Sequence, residues 1–449
     1  MTHIFWRDLQ RTYPTIVRGE GVYLYDSDGR RYLDGCSGAL VSNIGHGVTE
    51  IADAMAAQAR KVAYAHISNF ATEPALRLAE LLARQAPSGL KHVYYASGGS
   101  EAVETALKLA RAYFVERDQT TSKYLVISRW HGFHGNTLGA LAASGHVFRR
   151  RPYLPMLAPF VHIEPCNAYR HPYGPDCEDW DLRAARALER AILEIGPQYV
   201  AAFIAEPVVG ATAGAVPGTR AYFRCIREIC DRYDVVFIAD EVMTGFGRTG
   251  AWFAVEHFDV IPDLLVMGKG MAAGYAPLAG VLVHDRIVET FRKGSGRFVH
   301  GHTYNAHPVA CAAGCAVQDY MARHDLVRRA ATVGSRFGER LQALRRWEIV
   351  GDVRGLGLMW GVEFVRDRAT KEPFPRSLGV AECVTGEAMR RGLLVYPGTG
   401  TANGVSGDHV LLGPPLTISD RETDEFMTAL DEAIGAAARL ALGSSAGGG

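Results

Sequence analysis

Lys269 sits in LLVMGKGMAAG (264–274), directly after an apolar run and between two glycines. A lysine desolvated in such a place loses proton affinity, and its neutral amine can condense with a carbonyl as a Schiff base. For a lone Gly-Lys-Gly, a solvated turn lysine is the ordinary alternative. Asp240 closes the apolar run of VVFIADEV (235–242), at the strand end where open α/β sheets bind ligands. A carboxylate buried there needs a cationic or hydrogen-bonding partner. A protonated pyridine nitrogen would be one, and its charge would make the ring an electron sink; a plain acidic strand terminus is the alternative. In ASGGSEAVETALKLAR (96–111) a strand gives way to small residues and a helix beginning near Ser100. The N–H groups of Gly99 and Ser100 would leave that helix where its dipole favours an anion, and glycine would let a phosphate come close. Ordinary capping, with Ser100 as the cap and Glu104 in the first turn, accounts for the same residues. In SRWHGFHGNT (128–137), Trp130 offers a flat ring for stacking on a planar cofactor. His131 and His134 are spaced like a metal pair, but no third ligand stands at a recognisable offset, so core or hydrogen-bonded histidines and no metal are expected. The four motifs gain their weight from occurring together.

Such residues need several strands that end at one place. Candidate strands are HVYYA (92–96), KYLVIS (123–128), YVAAFIA (199–205), VVFIA (235–239), DLLVM (263–267) and LAGVLV (278–283). Several are continuous apolar runs, as in a mostly parallel sheet covered by helices on both faces. The helix Ser100–Phe114 carries an apolar stripe of Val103, Ala106, Leu107 and Ala110. Upstream, YLYD, Ser-Asp-Gly and RRYLD form a hairpin pattern. After about residue 325 come a long helix, WEIVGDVRGLGLMWGVEF as strand–turn–strand, a further helix and LLVYP as a strand. The expected organisation is an α/β chain. Residues 1–65 contribute to a small domain, 66–322 form a large ligand-binding domain, 323–442 form the C-terminal small α+β domain, and 443–449 (GSSAGGG) form a flexible tail.

Bulk properties narrow the function. The 449 residues are 48% hydrophobic and 21% charged, with 48 basic against 48 acidic side chains, so no net field recruits nucleic acid or anionic lipid. The run Arg149–Pro152 (RRRP) is too short to alter that and reads as a solvated loop. The eight cysteines form no C-x-x-C pair; Cys225/Cys230 and Cys311/Cys315 fall in helix-like stretches, which favours a reducing cytoplasm over zinc or disulfides. The first residues, MTHIFWRDLQRTYP, lack an apolar signal region, and no long apolar run suggests a membrane span. GFGRTG (245–250) fits G-x-G-x-x-G but does not open a helix directly after a strand. VVFIADE resembles a nucleotidase metal strand, yet no G-x-x-x-x-G-K-[ST] accompanies it. Nucleotide binding is the distant alternative.

The ordered set SGGSEAVETALKLAR, WHGFHG, AEPVVGA, VFIADEVMTGFGRTG, MGKGMAAGYAPLAG and HGHTYNAHP resembles the class III (subgroup II) aminotransferases, over about residues 10 to 440. The resemblance implies the pyridoxal 5'-phosphate (PLP)-dependent transferase fold type I, aspartate-aminotransferase-like, with a large mostly parallel-sheet domain and a smaller α+β domain. It implies that Lys269 holds PLP as a Schiff base and carries the proton between substrate α-carbon and cofactor C4′. Asp240 would pair with the pyridine nitrogen, and Gly99 and Ser100 would bind the phosphate, helped by Thr303 of the partner subunit in a homodimer or larger assembly. Trp130 would stack on one ring face and Val242 on the other, with His131 and Glu206 beside the cofactor. The ordinary alternative for Thr303 is to cap the helix after Asn305.

What the resemblance implies about substrates is narrower. Relatives acting on GABA and ornithine carry EPVQGEGG; here EPVVGATAG puts Ala211 at the second glutamate, which is more like the ω-amino acid:pyruvate and amine transaminase branch. That branch typically places a mobile arginine before GDH to grip a carboxylate, but no arginine lies between Tyr396 and Pro415, where Gly404 and Ser406 occupy the candidate places. Leu40 also replaces a tryptophan common in amine transaminases. The expected reaction is ping-pong transfer from an amine or ω-amino acid to a keto acid such as pyruvate. Transfer to an aldehyde or keto-sugar, and PLP-dependent decarboxylation or aminomutation, are the alternatives.

Overall fold

The computed structural model describes residues 3–443. Gly443 ends the last helix, Asp420–Gly443, and the rest of the expected tail lies outside the described residues. The expected hairpin is part of a meander of β1 (Ile16–Glu20), β2 (Tyr23–Asp26) and β3 (Arg31–Asp34). The Asp26 carboxylate accepts the N–H groups of Asp28 and Arg30 across the Asp-Gly turn.

Next come β4 (Leu90–Ala96), β5 (Leu125–Arg129), β6 (Val161–Ile163) and β7 (Val200–Ala205). A two-residue pair, β8 (Val208–Val209) and β9 (Val216–Pro217), precedes β10 (Val236–Asp240), β11 (Leu264–Met267) and β12 (Ala279–His284). Seven of these form one sheet in the order β4-β12-β11-β10-β7-β5-β6. The neighbours from β11 to β6 are parallel, and β12 alone runs antiparallel to β11 and β4. β4, β5, β7, β10 and β11 therefore point the same way, and their carboxyl ends open along one edge. Every residue of β7, β10 and β11 is buried, as runs apolar on both faces require.

In the C-terminal region, β13 (Val350–Leu356) and β14 (Met359–Phe364) form the expected strand–turn–strand. LLVYP is not one strand. β15 (Leu393–Leu394) runs parallel to β3, whereas β16 (Tyr396–Gly398) pairs with β17 (Asp408–Leu412) at the edge of the sheet β13-β14-β17-β16. Pro397 has no N–H to donate, which suits that edge position. The N-terminal meander and the C-terminal region thus share a sheet through β3 and β15.

GFGRTG opens no helix. Its Arg248 is completely buried and donates to the carbonyls of Leu358 (3.1 Å) and Pro414 (2.6 Å), to Asn43 Oδ1 (2.7 Å) and to Ser37 Oγ (3.3 Å). One side chain thus ties the N-terminal segment to the β13–β14 turn and the strand end after β17. Arg248→Leu strands these acceptors without a donor. The expected outcome is a loss of about 3 kcal/mol in unfolding free energy, measured by guanidinium denaturation.

Candidate active site

Each shared strand end delivers one part of the site. After β4, Gly98 is the N-cap of the helix Gly99–Asp118, which has no side-chain cap. Ser100 lies in the first turn and does not cap it; its hydroxyl accepts the N–H of Asn136 (2.9 Å), binding this turn to the loop after β5. Glu104 accepts the N–H groups of Gly139 and Ala140 from that same region. The start of the helix is left with N–H donors and small residues, a setting that suits an anion.

After β10, Asp240 is 4% exposed, and its Oδ2 accepts the Nδ1–H of His134 at 2.7 Å. Its Oδ1 accepts the N–H of Val242 at 3.1 Å. Lone pairs remain on the carboxylate for an N–H from a ligand. Strand alternation turns the next residue, Glu241, away from this side, where it accepts the N–H of Val255 and the Thr244 hydroxyl. After β7, Glu206 accepts the N–H groups of Phe133 (2.9 Å) and Gly210 (3.0 Å). Burial, together with the neighbouring Asp240, raises its pKa, while His134 opposes the shift. Val242 packs between two glycines: a Cβ at Gly99 would lie 3.1 Å from its Cγ1, and one at Gly268 3.4 Å. A larger residue at position 99 would close that space.

After β11 comes Lys269, with Gly268 extended before it and its own φ at +43°, in the left-handed region that non-glycine residues rarely adopt. Its Nζ donates to the Ala39 carbonyl at 2.9 Å. That carbonyl belongs to another tight segment, in which Ser37, Gly38 and Leu40 all have positive φ. Burial brings the Lys269 pKa down to about 8, with Asp240 and Glu206 pulling it up and Arg149 and Arg248 pushing it further down.

Other expected site residues lie differently. The Trp130 ring stacks on His162, centroids 4.6 Å apart, with Arg150 over it at 5.5 Å. The His131 ring turns toward Glu363, Arg170 and the Gly400 carbonyl, and burial lowers its pKa. Thr303 is exposed, and its carbonyl accepts the Tyr64 hydroxyl at 2.8 Å. It does not cap the next helix, Pro308–Arg323, whose cap is His307. Two residues that the sequence reading does not assign to the site are Phe133 and His134. The spacing in HGFH singles out His134, but only the fold turns it toward Asp240. Leu40 and Ala211, the two substrate-related departures, meet in one apolar cluster with Val208, Met359 and Leu411, against which Met243 and Tyr396 pack.

A half-buried amine and a carboxylate held on the same sheet edge as a helix start without a side-chain cap make an arrangement suited to imine chemistry on a phosphorylated ring. Comparison with known proteins gives it a family. The family model for aminotransferase class-III matches residues 6–434. The uncharacterized aminotransferase YodT of Bacillus subtilis is 41% identical over 430 residues, covering 96% of each chain. A putrescine–pyruvate aminotransferase of Pseudomonas aeruginosa is 36% identical over 418 residues, covering 92% of this chain and 88% of its own. Among solved structures, an amine transaminase from an uncultivated Pseudomonas species, described as PLP-bound in the internal aldimine form, has a TM-score of 0.90 and 35% identity, covering 97% of this chain and 99% of its own. The chain belongs to the class-III aminotransferases, enzymes of the PLP fold type I. Its cofactor is PLP. Among the described residues no helix is long and apolar enough to cross a membrane.

With a Lys269 pKa of about 8, the neutral amine is a minority below that pH and predominates above it. The rate at which cofactor-free protein takes up PLP is therefore expected to rise roughly tenfold per pH unit below about 8 and to level off above about 9. Stopped-flow absorbance checks this, and a flat profile between pH 6 and 9 would contradict it.

Proposed function

We propose that this aminotransferase moves an amino group from an amine or ω-amino acid to a keto acid such as pyruvate, by a ping-pong mechanism. The observation that carries the reading is the half-buried Lys269 amine on the same sheet edge as Asp240 and the open helix start at Gly98–Ser100. These residues fit the cofactor: Gly99 and Ser100 supply N–H groups for its phosphate, and Asp240 has lone pairs for its pyridine N–H. Bound there, PLP supplies an electron sink for the electrons of a substrate C–H bond. Asp240, steadied by His134, would accept a hydrogen bond from the pyridine N–H and so keep that nitrogen protonated. Lys269 Nζ would carry the proton between the substrate α-carbon and C4′, and its lowered pKa of about 8 suits both giving and taking a proton. Glu206 fixes the turn that carries Phe133 and His134.

Phe133, rather than Trp130, would lie on one face of the bound ring and Val242 on the other. The hydrogen bond from the Phe133 N–H to Glu206 and the stacking of Trp130 on His162 support that exchange of roles. The apolar cluster around Leu40 and Ala211 supports a donor with an apolar body. The likeness to a putrescine–pyruvate aminotransferase supports pyruvate as acceptor. A homodimer or larger assembly would bring Thr303 of the partner subunit to the phosphate. Its exposure, beside Val299 and Tyr304 at 90% and 61% exposed, supports that reading. The separate sheets support a division near residues 65 and 322, and the eight free cysteines support a reducing cytoplasm.

The test is the near-ultraviolet and visible spectrum of the PLP-loaded protein. The wild type is expected to show a band that Lys269→Ala lacks, bleached by a primary amine and restored by pyruvate. Asp240→Asn is expected to lower kcat by about 100-fold or more. A band that no primary amine bleaches would contradict the reading. Release of carbon dioxide, or isomerisation without an acceptor, would move the chain to the decarboxylase or aminomutase alternative.

A further inference from the structure

The loop joining β16 and β17, like the rest of the segment between Tyr396 and Pro415, contains no arginine, so a substrate carboxylate would need another partner. That loop rests on the short helix Val147–Arg150. His146, the N-cap of this helix, faces the Thr399 carbonyl at 3.3 Å, and a Cβ at Gly404 would lie 2.5 Å from Val147 Cγ2. The helix leads into the basic run that the sequence presents as a solvated loop, and the three arginines there have different surroundings. Arg150 is buried, donating to the Ser144 carbonyl and facing His162. Arg151 is exposed. Arg149 is half-buried, with its guanidinium 4.4 Å from the centre of the Phe133 ring.

Phe133 is the residue whose N–H is held by Glu206, next to the His134–Asp240 pair. Arg149 is also close enough to Lys269 to act on its charge. The other arginines nearby already hold protein acceptors, as Arg129 holds the Glu206 carbonyl. Arg170 and Arg354 both pair with Glu363, and Arg248 has its acceptors. Among the described residues, Arg149 has no carboxylate within ion-pair distance. A guanidinium placed over an aromatic ring, with no carboxylate partner, retains N–H groups for bidentate binding of a carboxylate.

We propose that Arg149 binds the carboxylate of the keto-acid acceptor, and of an ω-amino acid donor, from the Phe133 side of the site. It does so in place of an arginine in the loop before Gly407. The proposal rests on the aminotransferase reading above and assigns this chain its carboxylate-specificity residue.

The test compares the PLP-loaded wild type with Arg149→Gln and Arg149→Lys. Binding of propionate, a carboxylate that carries no amine or carbonyl to react, is measured by calorimetry. The Gln variant is expected to weaken it roughly 30-fold and the Lys variant to recover part of the loss. The ratio of kcat/KM for pyruvate to that for butanal is expected to fall by a similar factor in the Gln variant. A propionate affinity and a pyruvate/butanal ratio both within about threefold of wild type would overturn the proposal, as would a wild type that binds no propionate. A wild type that exchanges amino groups with no primary amine would instead sink the underlying substrate reading. The propionate measurement would then still decide the role of Arg149.

Discussion

The site depends on holding one amine where water reaches it only in part. The Lys269 ammonium would be strongly solvated on a surface; here burial outweighs the attraction of two nearby carboxylates and leaves the pKa at about 8. Three constraints maintain that state. The left-handed backbone at Lys269 directs its side chain off the end of β11. The Ala39 carbonyl gives Nζ one hydrogen bond, which stabilises the amine without supplying a negative charge. Arg248 fixes the strained N-terminal segment from which that carbonyl projects, through Ser37 and Asn43. The sheet, the N-terminal segment and the C-terminal region therefore all act on a single Nζ.

The second constraint is a separation of acidic roles among residues close in space or sequence. Asp240 is held by His134 and keeps capacity for another donor. Glu206 likewise accepts one hydrogen bond on each oxygen, but both come from backbone N–H groups, and burial raises its pKa. Glu241, adjacent in sequence to Asp240, faces the opposite side of the strand, where burial brings its pKa to about 7. Strand alternation decides which of the adjacent acids reaches the ligand edge, and the partners there differ: Asp240 faces the His134 side chain, whereas Glu206 accepts only backbone N–H groups.

Much of this is legible in the sequence because strand ends are. Continuous apolar runs bounded by Ala96, Asp240 and Gly268 mark where the chain leaves a buried sheet, and those exits converge once the strands are parallel. Side-chain direction within a turn is less legible. Trp130 and Phe133 both follow β5 as aromatics beside a histidine, and only packing shows that Trp130 stacks on His162. Ser100 has the composition of a cap, yet Gly98 takes that position because the chain must remain extended there. LLVYP reads as one strand because Val395 has strand propensity; two different sheets claim its halves. Arg149 lies hidden in a charge run that composition alone assigns to solvent.

The most direct measurement is borohydride reduction of the PLP-loaded protein, followed by peptide mapping by mass spectrometry. The expected result is a single phosphopyridoxyl adduct on the Lys269 peptide. An adduct on another lysine, or none at Lys269 in protein that has retained PLP, would contradict the claim that this amine holds the cofactor.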